Sequence, residues 1–206
     1  MHRTAGSLRD FYDGFHRFYG FVERTIDVRL QAVMTEVDPE GDRFRGDSVL
    51  EHCCGSGSLA LAIAPRCAAY EGRDQSEGML GRARARWRHR FGDTALDPFV
   101  RENVLEFAAA EDVYDRTMLS YCLHLFPPQT ERDLLGRFYR AARKGVIVFD
   151  HTRSWNPLLS LVEVVEGSWY RDYVKLDFAE VAALMGAEFR ETVTHGVRVL
   201  EFSKHP

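Results

Sequence analysis

From Ser48 onward the chain alternates short apolar runs with helix-forming runs, and this alternation restricts the fold more than any other feature. "SVLEH", "AAYEGRD", "PFVREN", "VYDRTMLSYC" and "VIVFDH" read as five strands separated by turn residues. Between them, Ser58 to Ala64, Ser76 to about Phe91, and "TERDLLGRFYRAARK" closed by Gly145 read as helices. Such alternation predicts a parallel sheet with helices on both faces. The tail changes character. "FAEVAALMG" is a short helix with a glycine stop, and "AEFRETVTHGVRVLEFSK" reads as two strands meeting near His195-Gly196. Strands joined so tightly must be antiparallel, because a parallel crossover needs about a dozen residues.

Ahead of the alternation, residues 1 to about 36 read as helix. Phe11, Phe15, Phe18, Val22 and Ile26 recur at spacings of three and four, drawing one apolar stripe. Asp38-Pro39-Glu40-Gly41 breaks that pattern. A chain of 206 residues fits a single domain, 1–206, with an N-terminal helical cap over 1–40 and a substrate-covering insertion over 152–175. The net charge of -4 argues against a general nucleic-acid binder. No apolar run approaches the roughly 20 residues that span a bilayer. The first residues hold no apolar signal core, so a cytoplasmic protein is expected, with Cys53, Cys54, Cys67 and Cys122 as reduced thiols.

The stretch "VLEHCCGSGSLALAIA" joins a strand to a helix through Gly55 and Gly57. Glycines there let backbone approach a ligand, and the helix start offers unpaired N–H groups. Asp74, at the end of the second strand, faces the same crevice and can accept bonds from two ribose hydroxyls. The glycine spacing is not the dinucleotide G-x-G-x-x-G, and the chain has no P-loop Gly-Lys-Ser/Thr.

These segments together resemble the class I S-adenosylmethionine-dependent methyltransferases. "VLEHCCGSGSLALAIA" is similar to their first motif, "YEGRDQSEGMLGRAR" to the second, "FVRENVLEF" to the adenine segment and "YDRTMLSYCLHLFP" to the fourth strand and its exit loop. "RFYRAARKGVIVFD" is similar to the helix and strand that follow, and the terminal hairpin to the family's reversed last strand. The resemblance implies an α/β, Rossmann-like, doubly wound seven-stranded sheet with an antiparallel last strand. It implies S-adenosylmethionine as cofactor, S-adenosylhomocysteine as product, and methyl transfer to a small-molecule acceptor.

Carried over by position, the resemblance puts Glu51 and the Gly55 and Gly57 backbone against the methionine part of the cofactor, with Cys53 beside it. Asp74 would hold the ribose, Asn103 and Val104 would meet the adenine, and Gln75, Met79 and Ser120 are also expected to bind the cofactor. Glu102 stands beside Asn103 as a substitute. Tyr12 and Tyr19, in the leading helix, would close over the cofactor. His151 is the candidate general base at the end of strand five, because histidine suits proton transfer near neutral pH. Tyr121, His124, Trp155, Trp169 and Tyr170 are expected to meet the acceptor.

Three alternatives stand beside these expectations. Quinone-biosynthesis methyltransferases carry a similar Cys-Cys-Gly-Ser-Gly turn, which points to a lipid or quinone precursor as acceptor. A protein that binds the cofactor without transferring its methyl group is the second. The third is a metal or redox cluster of His52, Cys53 or Cys54 with Cys122 and His124, although their spacing fits no structural zinc pattern and no metal ligands are assigned. The arginines of "GRARARWRHRF" read as a solvated helix face.

Overall fold

A computed structural model of the protein describes residues 10–14, 20–108, 110–152 and 168–205. Tyr19, Trp155, Phe15 and Phe18 lie outside the described residues, as does most of the 152–175 segment. Residues 10–14 are helical, and helix α1 runs over Gly20–Val37. Then come β1 (Ser48–His52), α2 (Ser58–Ile63), β2 (Ala69–Asp74), α3 (Glu77–Phe91), β3 (Phe99–Arg101) and β4 (Tyr114–Ser120). They are followed by α4 (Pro128–Ala141), β5 (Ala142–His151), α5 (Tyr170–Tyr173), α6 (Phe178–Met185), β6 (Glu188–Thr194) and β7 (Val197–Ser203).

The seven strands form one sheet in the order β3-β2-β1-β4-β5-β7-β6. β1 pairs in parallel with β2 and β4, and β4 in parallel with β5. β7 runs antiparallel to both β5 and β6. This is the expected mostly parallel sheet with a reversed last strand. Strand order turns around between β1 and β4, and the crevice beyond their carboxyl ends is where open sheets of this kind bind ligands. The β6–β7 turn falls at His195 (φ 50) and Gly196 (φ 72), positive at both positions as a two-residue hairpin of type I′ requires.

Alternation along the strands feeds a core on each face. Leu119, Val146, Val148 and Leu200 pack with Leu134, Leu135 and Phe138 of α4 and Phe178 and Val181 of α6. Met118, Ile147, Phe149 and Val199 face the other way, onto Leu30, Val33 and Met34 of α1 and Leu59 and Ile63 of α2. β4, β5 and β7 are thus covered on both sides, which explains their near-continuous apolar runs. α1 docks through Leu30, Val33 and Met34, with Ile26 at the edge of the contact.

Two boundaries differ from the sequence reading. α4 ends at Ala141 rather than running to Lys144, and Gly145 is a strand residue, not a helix stop. The reason is long-range: a Cβ at Gly145 would lie 2.0 Å from the Phe202 carbonyl oxygen, so β7 can approach only glycine there. Arg143 and Lys144 pair with Asp115 and Asp47 from the strand. β3 stops at Arg101 because the Asn103 side chain accepts from the Leu105 N–H (3.2 Å) and starts a helical turn over Val104–Glu106. No helix among the described residues is long and apolar enough to cross a membrane.

Candidate active site

The turn after β1 is left-handed at Cys53 (φ 53), Gly55 (φ 52) and Gly57 (φ 78). Glycine is required at the last of these. A Cβ on Gly57 would come within 3.3 Å of both Ala83 and Phe99, where α3 and β3 press against the turn. Gly72 in β2 answers the same demand, since its Cβ would meet Phe99 at 3.0 Å and Cys54 at 3.1 Å. Glycine inside a strand is the signal that could have revealed it. Cys54 is buried in that contact with Ala60, Leu80 and Ala83, and burial pushes its thiol well above the ordinary range.

Asp74 is locked to this turn. Its carboxylate accepts the Gly55 N–H (2.9 Å) and the Ser76 N–H (2.8 Å). Burial raises its pKa to about 6, with those backbone bonds opposing the rise. Ser76 caps α3 by accepting from the Met79 N–H, and its own hydroxyl donates to Asp13 at 2.5 Å. Asp13 also accepts the Gly78 N–H (3.1 Å), so the helical residues 10–14 dock on the start of α3 and bring Tyr12 to the same wall.

Glu51 is fully buried beneath the turn and accepts hydroxyl bonds from Ser120 (2.6 Å) and Tyr70. Burial raises its pKa to about 7. Beside it, His52 is stacked on Phe138 (4.0 Å) with its edge toward Phe107 (4.4 Å). Burial, reinforced by Arg73, lowers its pKa to about 3, so at neutral pH it is an uncharged aromatic wedge. Neither of its ring nitrogens meets a hydrogen-bond partner among the described residues.

A cavity of about 850 Å³, open to solvent, lies over the turn. Of the residues expected at the cofactor, Tyr12, Cys53, Gly55, Asp74, Gln75, Met79, Val104 and Ser120 line it. Glu51 and Gly57 stand behind the wall, as does Asn103, whose side chain is used within its own turn. Glu102 lines the cavity instead, and receives Arg73 at 2.7 Å. Arg73, not anticipated from the sequence, also binds Glu71 (2.5 Å) and the Tyr114 hydroxyl (3.0 Å).

The expectation of four reduced thiols needs correction. Cys53 and Cys122 are joined by a disulfide, with Cα atoms 6.3 Å apart, and both line the cavity. The pairing follows from the topology, which sets the residues after β1 and β4 side by side. Cys54 and Cys67 are free.

Beyond the disulfide lies a second group of residues. The His124 ring Nδ1 is 2.5 Å from Asp150, whose carboxylate also accepts the His151 N–H (2.7 Å). The rings of His124 and His151 are 4.7 Å apart, and Tyr121 and Tyr170 meet His151 edge-on at 4.9 and 5.9 Å. Trp169 is placed there by its N–H to the His124 carbonyl (2.9 Å). Burial lowers the His151 pKa to about 3, with help from His124 and against the pull of Asp150. Asp150 is held below the usual carboxylate range by the two histidines, despite its burial. Tyr121 belongs to both groups, since it lines the cavity and touches His151. Buried Glu131 of α4 is raised to about 8 by burial and by Asp150, and finds no hydrogen-bond partner among the described residues.

A glycine turn and a buried carboxylate at the reversal of a seven-stranded sheet, closed by an antiparallel β7, match the Rossmann-like methyltransferase fold. Residues 49–145 match a family described as a methyltransferase domain. That match covers just under half of the chain, from β1 to the first residues of β5. A 2-phytyl-1,4-naphtoquinone methyltransferase of Synechococcus elongatus is 32% identical over 119 residues, 55% of this chain and 50% of the relative. The chain thus matches about half the length of that curated relative. Magnesium protoporphyrin IX methyltransferase (ChlM) of Synechocystis PCC 6803, with bound SAH, superposes with a TM-score of 0.72 at 20% identity, covering 98% of this chain and all of that one. A putative O-methyltransferase of Nostoc punctiforme aligns at 0.66 and 20% identity, over 94% and 60% of the two chains.

Proposed function

We propose that the protein transfers the methyl group of S-adenosylmethionine to a small-molecule acceptor. The observation that carries this reading is the Asp74 carboxylate, locked to Gly55 of the turn and lining a cavity shared with Tyr121, whose ring meets His151. The donor set suits the cofactor. Asp74 would take the ribose hydroxyls, Glu102 and Val104 the adenine edge, and the turn and Ser120 the amino-acid end.

The sulfonium already activates the methyl carbon, so the cofactor supplies the electrophile. The chain must hold the acceptor atom about 3–3.5 Å away and in line. If that atom is a hydroxyl oxygen, its proton must also leave. His151 would receive that proton; burial lowers its basicity, and the nearby Asp150 carboxylate would offset this by stabilising the imidazolium that forms. Tyr121, His124, Trp169 and Tyr170 would wall the acceptor. The helical residues 10–14 would close over the cofactor through Tyr12. The absence of a nucleic-acid partner belongs to the same proposal, motivated by the net charge of -4.

A quinone or lipid precursor is the second reading of the acceptor. It is favoured by the naphtoquinone named for the 32% identical relative and by Leu125 and Phe126, which line the cavity beside Tyr121. Calorimetry with S-adenosylhomocysteine, then radiolabelled methyl transfer with hydroxyquinone, phenolic and amine acceptors, tests both. Absence of cofactor binding by a folded chain would falsify the central reading. Binding without transfer to any acceptor or cell extract would make the chain a cofactor-binding protein only.

A further inference from the structure

Methyl transfer calls for no thiol chemistry, yet a disulfide lies in the cavity where the cofactor is proposed to bind. Cys53 is the first residue after β1, and Cys122 follows β4 by two residues. These strands flank the reversal of strand order, so the bond crosses the crevice that the sheet topology reserves for a ligand. Both residues line the cavity together with Gly55, Ser120 and Tyr121. The backbone on either side is constrained: Cys53 sits at φ 53 and Tyr121 at φ 51, conformations that side-chain-bearing residues seldom adopt. A Cα separation of 6.3 Å lies within the range a disulfide can bridge. The other two thiols stand apart, with Cys54 packed against Gly72 and Cys67 donating to the Ile63 carbonyl at 3.3 Å.

We propose that Cys53 and Cys122 form a reversible thiol-modification site that gates the cofactor cavity. Oxidised, the bonded sulfurs are fixed in the cavity wall beside Gly55 and Ser120 and obstruct the amino-acid end of the cofactor; reduced, the two cysteine side chains can turn aside while β1 and β4 stay paired, and the cavity admits it. The inference rests on the cofactor reading above. The oxidant it requires is a small disulfide such as oxidised glutathione. Cys53 is partly exposed and Cys122 is 3% exposed, so Cys53 attacks first. Its thiolate bonds to one sulfur of the oxidant and the other leaves as a thiolate. The Cys122 thiolate then attacks the Cys53 sulfur, forms the internal bond and expels the second glutathione. The two protons lost by the protein thiols end on the two glutathione thiols. A dithiol reductant runs the same steps backward.

The test titrates S-adenosylhomocysteine into the full chain by calorimetry, after oxidised glutathione and after dithiothreitol, with thiol alkylation and mass spectrometry to assign the bond. Oxidation is expected to form the Cys53–Cys122 bond and to weaken binding by roughly tenfold or more, as follows when under about a tenth of the molecules remain open. Cys122→Ser is expected to bind equally in both conditions, whatever its own affinity, while Cys67→Ser keeps the wild-type response. Equal wild-type affinities with the bond formed would overturn the gate and leave the cofactor reading intact. Failure of oxidised glutathione to form that bond would also overturn it. A folded, reduced chain that binds no S-adenosylhomocysteine would remove the cofactor reading and the gate together.

Discussion

On the β1–β2 side of the crevice, the cavity is lined by turn backbone, by Asp74 with its caps and by the Arg73–Glu102 pair. On the β4–β5 side Ser120, Tyr121 and Cys122 line it, and His151, Asp150 and His124 are packed together beyond the Tyr121 ring. The first side is set by glycine torsions and by Asp74 gripping the Gly55 N–H, so little in it can move independently. The second is set by burial: Asp150 gathers two histidines, and His151 is held uncharged far below its ordinary range. One side is suited to binding, where uniform contacts lower Kd. The other is suited to proton movement, where the protonation state decides the rate.

If that division is right, variants on the two sides separate in kinetics. His151→Ala should lower turnover by about 10²–10⁴-fold, the usual worth of a positioned base, while S-adenosylhomocysteine affinity stays within about twofold. Unchanged turnover would remove His151 from the chemistry. Asp74→Ala should act in the opposite sense, weakening cofactor binding by about 100-fold, as expected for two lost charge-assisted bonds of about 1.5 kcal/mol each. A loss in turnover at saturating cofactor, with affinity intact, would break the comparison.

Gly57→Ala probes the scaffold beneath the first side. The new Cβ meets Ala83 and Phe99 in a left-handed conformation, and a loss of about 1–3 kcal/mol in urea unfolding is expected. A neutral result would show that α3 yields readily.

The smallest effect is on pH dependence. Glu51 titrates near 7 when folded, against an ordinary 4.5. The folded state therefore keeps a proton that the unfolded state has already released, and stability falls as pH rises from 4.5 through 7. His52 and His151, lowered to about 3, act in the other direction and remove stability as pH falls from about 6.5 toward 3. In thermal unfolding across pH 4.5 to 7.5, Glu51→Gln should gain stability relative to wild type as pH rises. A constant difference between the two proteins would show that Glu51 keeps an ordinary pKa.

The same division governs what could be read without coordinates. The strand–helix alternation and the antiparallel hairpin that ends in β7 were legible because alternating burial and turn chemistry fix residue types locally. Glu131 was not legible, because an acid in the first turn of a helix ordinarily faces water, and only the fold buries it. Arg73 lies in β2 and Glu102 just past the end of β3, and their pairing depends on a side-chain reach that no spacing encodes. The helix boundary at Ala141 was missed because the evidence for Gly145 comes from Phe202, far along the chain.

The hairpin carries one more consequence. β7 pairs Arg198 with Asp150 and Val197 with His151, so the strand that fixes the proposed proton acceptor is the last of the seven in chain order. During synthesis, β1, β2 and β4 emerge first and can assemble the glycine turn with Asp74, while β5 still lacks its neighbour. The two residue sets therefore depend on different parts of the chain: the turn and Asp74 on β1 and β2, the His151 group on the terminal hairpin.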